Sequence, residues 1–429
     1  MSIAKQHNLK EQMVDLLEGF KPTELGPLPE EWDVVPFGQA VVKKRMRVGK
    51  VKPQAYEPIG RFPIVDQGQS LIAGYWDTPE DVYDGELPII IFGDHTRIFK
   101  FLDFPFVLGA DGTKVLIPNT NDFDPLFLYY AFLSIKIPSR GYNRHFSLLR
   151  EQYIPLPPLG EQRAIAQVLR AVQRAKETTE RVIAATRELK KSLMRHLFTY
   201  GPVPIGARDV VPLQETKIGL APGEWRIVSF EQAVVKRRIN VSKVKRQVYK
   251  TFGRFPIVDQ SQSLIAGYWD APEDVYDGGL PVIIFGDHTR IFKYVDFPFV
   301  LGADGAKVLF PDRRSFDPLF LFYAFLCLGI PSRGYNRHFS LLREQNVPQP
   351  PLPEQRQIAR ILQTVDRKVE AEENRKAALE ALFKTLLHHL MTGKLRVPVE
   401  LYQELASGNA AGSNDRAGRI PTMGGMAFV

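Results

Sequence analysis

The chain repeats itself. Sliding the sequence by 193 positions lays RFPIVDQGQSLIAGYWDTPEDVYDG at Arg61 onto RFPIVDQSQSLIAGYWDAPEDVYDG at Arg254. Between Arg61 and Leu116, 49 of 56 residues equal their counterparts between Arg254 and Leu309, without insertion or deletion. Trp32 falls on Trp225, GDHTRIFK at Gly93 on the same string at Gly286, and GYNRHFSLLREQ at Gly141 on Gly334. Solenoid repeats run about 20 to 50 residues, so a period this long is a domain duplication. Whatever surface one copy builds, the chain builds twice. Its 429 residues exceed one ordinary core and suit two to four compact units.

Each copy has two parts of different character. The first is rich in Gly and Pro and carries the short β-branched or aromatic runs FPIVD, LPIIIF and TKVLI, which read as strands between turns. Asp124 before Pro125, and Asp317 before Pro318, open a short apolar helix, because Asp caps and Pro fits the first turn. The second part, from Glu161 to Thr199 and again from Glu354 to Thr392, contains neither Gly nor Pro. Apolar residues recur there at Ile165, Val168, Val172, Ala175, Val182, Leu189 and Leu193. The second copy offers Ile358, Ile361, Leu362, Val365, Val369, Leu379, Leu382 and Leu386. These gaps fit a helix with one long seam, of about 39 residues or roughly 60 Å. Burying one seam against the other, antiparallel, is the simplest solution.

The expected fold class is therefore α+β: two mixed α/β modules in a pseudo-twofold arrangement, linked by two long antiparallel coiled-coil helices. The expected boundaries are a helical segment over 1–20, a first module over 21–159 and a first spacer helix over 160–200. A linker with the second module follows over 201–352, then a second spacer helix over 353–395. A flexible tail over 396–429 is read from its small, polar, Gly-rich composition.

With 44% hydrophobic and 24% charged residues the composition is that of a globular protein in water. The longest apolar stretch, around Pro125 to Ile137, carries Lys136 and falls short of the roughly 18 residues of a spanning helix. The first residues lack the apolar core and cleavage site of a signal peptide, so a cytoplasmic location and no membrane partner are expected. Cys327 is the only cysteine, which excludes a disulfide frame and a Cys-based zinc site; it reads as small core filler.

The formal charge of +8 suits a polyanionic partner, and the cations cluster. KKRMRVGKVK at Lys43 offers Lys43, Lys44, Arg45, Lys50 and Lys52; KRRINVSKVKRQVYK at Lys236 offers Lys236, Arg237, Arg238, Lys243 and Lys245. Neither block holds an acidic residue, and the charge persists while identities change, which favours phosphate contacts over a merely solvated loop. The string SRGYNRHFSLLRE places Arg140, Asn143, Arg144 and His145 on a loop, repeated as Arg333, Asn336, Arg337 and His338. Arg pairs with guanine edges and Asn with adenine, so this loop suits base readout; the bland alternative is a structural turn. In GDHTRIF the adjacent Asp and His supply too few ligands for a metal, and a tight turn is the better reading, with Arg97 and Arg290 in reach of DNA.

Enzyme signatures are absent. GADGTK at Gly109 has the wrong spacing for a phosphate loop and no Ser or Thr after its lysine. No glycine-rich cofactor loop and no Asn-Pro-Pro-aromatic string occurs, and Glu188-Leu189-Lys190 has no upstream acid cluster to make a nuclease. No catalytic, cofactor or metal residue is expected in this chain.

Taken together, these strings resemble the specificity subunits of type I restriction-modification systems. The family's recognition domains are preceded by segments like KPTELGPLPEEWDVV at Lys21 and ETKIGLAPGEWRIV at Glu215. They are followed by stretches like IPLPPLGEQRAIAQVL at Ile154 and VPQPPLPEQRQIARIL at Val347, and the helices close with LMRHLFTYG and LLHHLMTGKL. The resemblance covers roughly residues 20 to 396. It implies a non-catalytic subunit that binds double-stranded DNA, docks two methyltransferase subunits on its helices and, with added restriction, motor-bearing subunits, directs restriction. S-adenosylmethionine, ATP and Mg are then cofactors of those partners.

One feature departs from the pattern the resemblance implies. Family members usually carry two dissimilar recognition domains, whereas here they are nearly the same, while the helices match at fewer than half their positions. Both modules are therefore expected to read one half-site, giving an inverted repeat with an unread spacer. The alternatives are a reader for a fused methyltransferase-nuclease, a paired RNA-binding or protein scaffold, and a stand-alone nuclease.

Overall fold

The structure is a computed structural model that describes residues 18–44, 49–109, 112–139, 141, 143–239, 241–303, 305–332, 334 and 336–398. The chain divides into two units, one comprising Met1–Thr178 with Arg375–Val429 and the other Thr179–Asn374. The expected division into modules and separate spacer helices differs from this one. Each unit holds one module together with part of each long helix, because the helices share the modules' cores. Of the expected N-terminal helical segment, 1–17 lies outside the described residues, and Phe20 already belongs to a strand.

In the first unit the strands are β1 (Phe20–Thr23), β2 (Gly26–Pro29), β3 (Asp33–Pro36), β4 (Val41–Val42), β5 (Lys50–Val51) and β6 (Phe62–Val65). They continue with β7 (Gly74–Trp76), β8 (Ile89–Gly93), β9 (Phe99–Leu102), β10 (Val107–Gly109), β11 (Thr113–Pro118) and β12 (Tyr153–Leu156). The helices are α1 (Phe37–Ala40), α2 (Pro125–Ser134), α3 (Phe146–Arg150) and the long α4 (Leu159–Tyr200). Two four-stranded sheets form, in the orders β5-β10-β6-β7 and β4-β11-β8-β9. The pair β3 and β12 joins the module's beginning to its end.

The runs predicted as strands are β6, β8 and β11, and their patterns follow from burial. Ile90 and Phe92 of β8 pack with Phe127, Leu128 and Phe132 of α2. Ile89 and Ile91, pointing the other way, pack with Val65, Phe106 and Leu108 of the neighbouring sheet. A strand buried on both faces is apolar throughout instead of alternating. The predicted cap is present: Asp124 Oδ1 accepts from the amides of Leu126 and Phe127 at 3.1 and 2.9 Å, and Pro125 fills the first turn.

The second unit repeats this plan. Its strands are β13 (Leu213–Thr216), β14 (Gly219–Pro222), β15 (Arg226–Ser229), β16 (Val234–Val235), β17 (Phe255–Val258) and β18 (Gly267–Trp269). The rest are β19 (Val275–Tyr276), β20 (Val282–Gly286), β21 (Phe292–Val295), β22 (Phe299–Leu301), β23 (Ala306–Pro311) and β24 (Asn346–Gln349). Helices α5 (Phe230–Ala233), α6 (Pro318–Leu326) and α7 (Phe339–Arg343) precede the long α8 (Leu352–Met391). Cys327, expected in the core, is exposed just past α6, where the helix has ended.

Gln162 locks α4 to its module. It donates to the carbonyls of Asp122 and Pro157 at 2.8 Å and accepts from the Asp124 amide at 2.8 Å, and it is fully buried. Gln355 does the same for α8 with Ser315, Pro350 and Asp317. This explains the Glu-Gln-Arg string at each helix start. In the first unit, Ala164, Ile165 and Leu169 at the head of α4 share a core with Leu390 and Met391 at the tail of α8. In the second unit, Leu197 near the tail of α4 shares a core with Ile358 and Leu362 near the head of α8. There Arg187 meets Glu373 and Lys190 meets Asp366, each at 2.5 Å, so numbers rise on one helix as they fall on the other. The helices pair antiparallel. Leu189 and Leu382, placed on the seam by spacing, are 52% and 45% exposed; a seven-residue step drifts off a helix of 3.6 residues per turn.

The tail begins later than its composition suggests. Arg396 is ion-paired with Glu161 and Glu31, and Val397 is buried; 399–429 lies outside the described residues.

Candidate nucleic-acid interface

Strand register gathers several loops at one edge of each module. In the first, β5 and β6 both run parallel to β10, so all three end together, at Val51, Val65 and Gly109. β11 starts opposite the end of β8, Thr113 facing Gly93. The loops after residues 51, 65, 93 and 109 therefore leave from the same edge. The predicted loop that carries Asn143, Arg144 and His145 joins them there through Asp94, whose Oδ1 accepts from the amides of His145 and Phe146 at 2.9 and 2.8 Å.

The turn Gly93–Arg97 is the hub. Asp94 is 2% exposed, and its second carboxylate oxygen lies 3.7 Å from Lys114 Nζ. Gln67, from the loop after β6, accepts the His95 amide on Oε1 at 3.1 Å and the Thr96 hydroxyl on its carbonyl at 2.6 Å. A side chain at Gly93 would lie 2.1 Å from Thr96 Oγ1, so only glycine allows the approach. Arg97 has φ +62°, left-handed and costly without glycine, and its counterpart Arg290 has the same value. Its guanidinium Nη1 donates to the Ile137 carbonyl at 2.9 Å, and that of Arg290 to Ile330 at 3.0 Å. The second module repeats the whole arrangement, with Asp287 accepting from the amides of His338 and Phe339.

The sequence-predicted residues distribute unevenly over this edge. Asn143 and Arg144, with Asn336 and Arg337, are exposed on the loop. Lys50 and Lys52 are exposed where β5 ends beside Gly109, and Lys243 and Lys245 flank Val244, which bridges Gly302. Lys43 and Lys44 are exposed but follow β4, which pairs with Ile117 and Pro118 at the other end of β11, so the basic block runs along the module rather than along the loop edge. Lys236 and Arg238 are exposed in the same way; Arg237 leans over the Phe310 ring at 5.6 Å. Arg45, Arg140 and Arg333 lie outside the described residues.

His145 and His338 require a correction. They are 1% and 0% exposed, and Nδ1 of each stands 3.0 Å from the carbonyl oxygen of Asp94 or Asp287. They hold the loop from within and do not face outward. Arg97 and Arg290 brace the same loop. The Asp-His adjacency, read from the sequence as a tight turn, is part of this scaffold; among the described residues no cluster of three His, Cys, Asp or Glu could hold a metal ion. In the loop after β6 sequence reasoning marks only the Gly68 and Ser261 difference, as one that could shift preference at a position, and names no site residue there, although its Gln-x-Gln string at the end of a strand repeats in both copies.

Comparison with known proteins identifies the architecture. The profile of the type I restriction modification DNA specificity domain matches residues 77–186 and 281–381. The chain belongs to the family of type I restriction-modification specificity subunits. Two relatives from Methanocaldococcus jannaschii match nearly end to end. The one named as the MjaX specificity subunit of a type I restriction enzyme is 24% identical over 421 residues, covering 89% of this chain and 97% of the relative. The MjaVIII specificity subunit is 25% identical over 428 residues, covering 89% and 96%. In fold, the chain is similar to the crystal structure of the S subunit of the type I restriction-modification system from M. genitalium. That likeness has a TM-score of 0.63 at 16% identity over 88% of this chain and 98% of the other.

As a specificity subunit this chain is the DNA-recognising, non-catalytic component of a type I restriction-modification enzyme. Among the described residues no helix is long and apolar enough to cross a membrane.

Proposed function

We propose that this specificity subunit reads a bipartite DNA target whose halves are inverted copies of one sequence, separated by an unread spacer. The observation that carries this is the equivalence of the two loop edges. The 49 identities in 56 positions are matched by the same hydrogen bonds around Asp94 and Asp287 and around Gln67 and Gln260. Equal readers on helices of opposite direction select equal half-sites in opposite sense. Asn143, Arg144, Asn336 and Arg337 meet base edges. Arg140 and Arg333, on the same loops, belong with these base-reading residues, while Lys43, Lys44, Arg45, Lys50, Lys52, Lys236, Arg237, Arg238, Lys243 and Lys245 meet phosphates. The long helices dock two methyltransferase subunits and, through them, restriction subunits in the cytoplasm. S-adenosylmethionine, ATP and Mg serve those partners.

The test is co-expression with the cognate methyltransferase subunit and a genome-wide map of modified adenines. A single motif whose inverted halves call for the same bases is expected, with any difference confined to the strength of preference at the pair nearest Gly68 and Ser261. A motif with unrelated halves overturns the symmetric reading, and methylation without this chain overturns the role itself.

A further inference from the structure

Besides the Asn143 loop, the edge carries a second loop, Asp66–Leu71, for which neither the charge pattern nor the recognition strings gave a role. It is built with unusual care. Lys100, on β9, is only 4% exposed and turns inward under the loop. Its ammonium donates to the carbonyls of Asp66 and Ser70 at 2.7 and 2.6 Å and lies 3.7 Å from Asp66 Oδ1. Lys293 repeats this under the second module's loop, at 2.7 and 2.5 Å from the carbonyls of Asp259 and Ser263. Burial pushes the pKa of both ammonium groups down, and the neighbouring Asp66 or Asp259 carboxylate opposes that shift. Asp66 Oδ1 also accepts the Gly68 amide at 2.8 Å, and the Ala73 amide closes the loop by donating to Ile64.

A buried cation is costly to maintain, and an apolar residue would fill the same space more cheaply. What the lysine supplies is a fixed course for the loop's backbone. That course is tied onward: Gln67 binds the His95–Thr96 turn, and Asp94 of the same turn binds the loop ahead of α3. The two loops thus form one preorganised unit, the condition under which a few side chains discriminate well. On the outer side of the first loop stand Gln69, Ser70 and Leu71, all exposed. Among the described residues the carboxamides of Gln69 and Gln262 have no hydrogen-bond partner. A carboxamide donates and accepts side by side, which matches the N6 and N7 edge of adenine.

We infer that the loops Asp66–Leu71 and Asp259–Leu264 are base-reading elements, with Gln69 and Gln262 as specificity-determining residues for an adenine and Lys100 and Lys293 as the residues that position them. This rests on the DNA-reading function proposed above.

The experiment is selection from a duplex DNA library with randomised positions, using the full chain in complex with its methyltransferase. Wild type, Gln69→Ala, Gln262→Ala, the double variant and Lys100→Met are compared. Wild type enriches a motif with an A·T pair fixed in each half. Gln69→Ala lowers discrimination at that pair in one half by about tenfold or more, and the double variant does so in both, while other positions keep their preference. Lys100→Met blurs the same position. If the double variant leaves every position unchanged, or weakens all alike, the inference is overturned. If Lys100→Met weakens all positions alike, the lysine's positioning role is overturned, and Gln69→Ala, at an exposed site, still decides the rest. A wild-type complex that enriches no sequence overturns the underlying function instead.

Discussion

Arg396 grips Glu161 with both arms of its guanidinium, Nε to Oε1 at 2.5 Å and Nη2 to Oε2 at 2.9 Å. The same carboxylate accepts Trp32 Nε1 at 2.9 Å, so one residue at the head of α4 fastens both the module's hairpin region and the chain just beyond α8. In the second module Glu354 accepts Trp225 Nε1 at 2.8 Å, with Val203 in the place of Arg396. Glu161 is 8% exposed, and its bidentate partner is part-exposed, so the pair sits between the surface and buried limits. Arg396→Ala is expected to cost the first unit about 1 to 3 kcal/mol by leaving that carboxylate with Trp32 alone. Thermal unfolding measures it. In a Glu161→Gln background the same substitution should cost clearly less, and an equal cost would show that Arg396 acts elsewhere.

The two units differ at the place where each module meets the returning helix. In the second, the Tyr323 hydroxyl donates to Asp366 Oδ2 at 2.7 Å, and Lys190 joins the carboxylate and stands 5.4 Å from the Tyr323 ring centroid. In the first, Phe383 occupies the position equivalent to Lys190 and meets the Tyr130 ring at 6.0 Å. Burial pushes both phenols above the ordinary tyrosine range, and the Asp366 hydrogen bond adds to the rise at Tyr323; burial also takes Tyr294 to about 12. A raised folded value means stability that is complete below the unfolded pKa of about 10 and is lost as pH climbs through the folded one. Stability should therefore fall above about pH 10. Tyr323→Phe should flatten that alkaline slope while costing about 1 kcal/mol at neutral pH through the lost hydrogen bond. An unchanged slope would place the sensitivity in other groups.

Asp94 is expected to matter for recognition without touching DNA. Asp94→Ala leaves the amides of His145 and Phe146 without their side-chain acceptor, a loss of about 1 to 3 kcal/mol. Hydrogen exchange at these two amides should quicken and DNA affinity should drop, whereas Asp94→Asn, retaining a carbonyl oxygen, should keep much of both. If exchange there is unaffected by Asp94→Ala, the carboxylate is not what holds the loop.

How much of this was legible beforehand follows from range. The strands FPIV and IIIFG, the Asp124 and Asp317 caps and the long helices were readable because propensity, capping and apolar spacing act within a few residues. The duplication was readable because identity needs no geometry. His145 was misread as outward-facing because the partner that buries it, Asp94, is 51 residues away and is brought close by the pairing of β8 with β11. Lys100 drew no role from the sequence for the same reason, since its carbonyl partners lie 30 and 34 residues upstream. Gaps of seven residues accumulate a phase error on a helix of 3.6 residues per turn, which is why Leu189 and Leu382 were put on the seam although they are exposed.

Gly68 and Ser261 mark the one difference within the paired loops over residues 66–71 and 259–264. The amide of each donates to its aspartate, Asp66 or Asp259, at 2.8 Å, so the backbones agree. A Cβ on Gly68 would lie 3.0 Å from Asp66 Oδ1, the end of a side chain that can shift by a few tenths of an ångström, and no left-handed φ forbids it. Gly68→Ser should therefore fold normally, with stability changed by no more than about 0.5 kcal/mol. Serine adds a hydroxyl at a point beside the exposed Gln69, where it can donate to or accept from a base or phosphate. If these loops face DNA, the wild-type half-sites should differ in strength at the base pair nearest residue 68, with the stricter half belonging to the Ser261 module. Gly68→Ser should equalise them in a library selection. Wild-type halves that are already equal there, and remain so in the variant, would mean that the Ser261 hydroxyl contributes nothing to base discrimination.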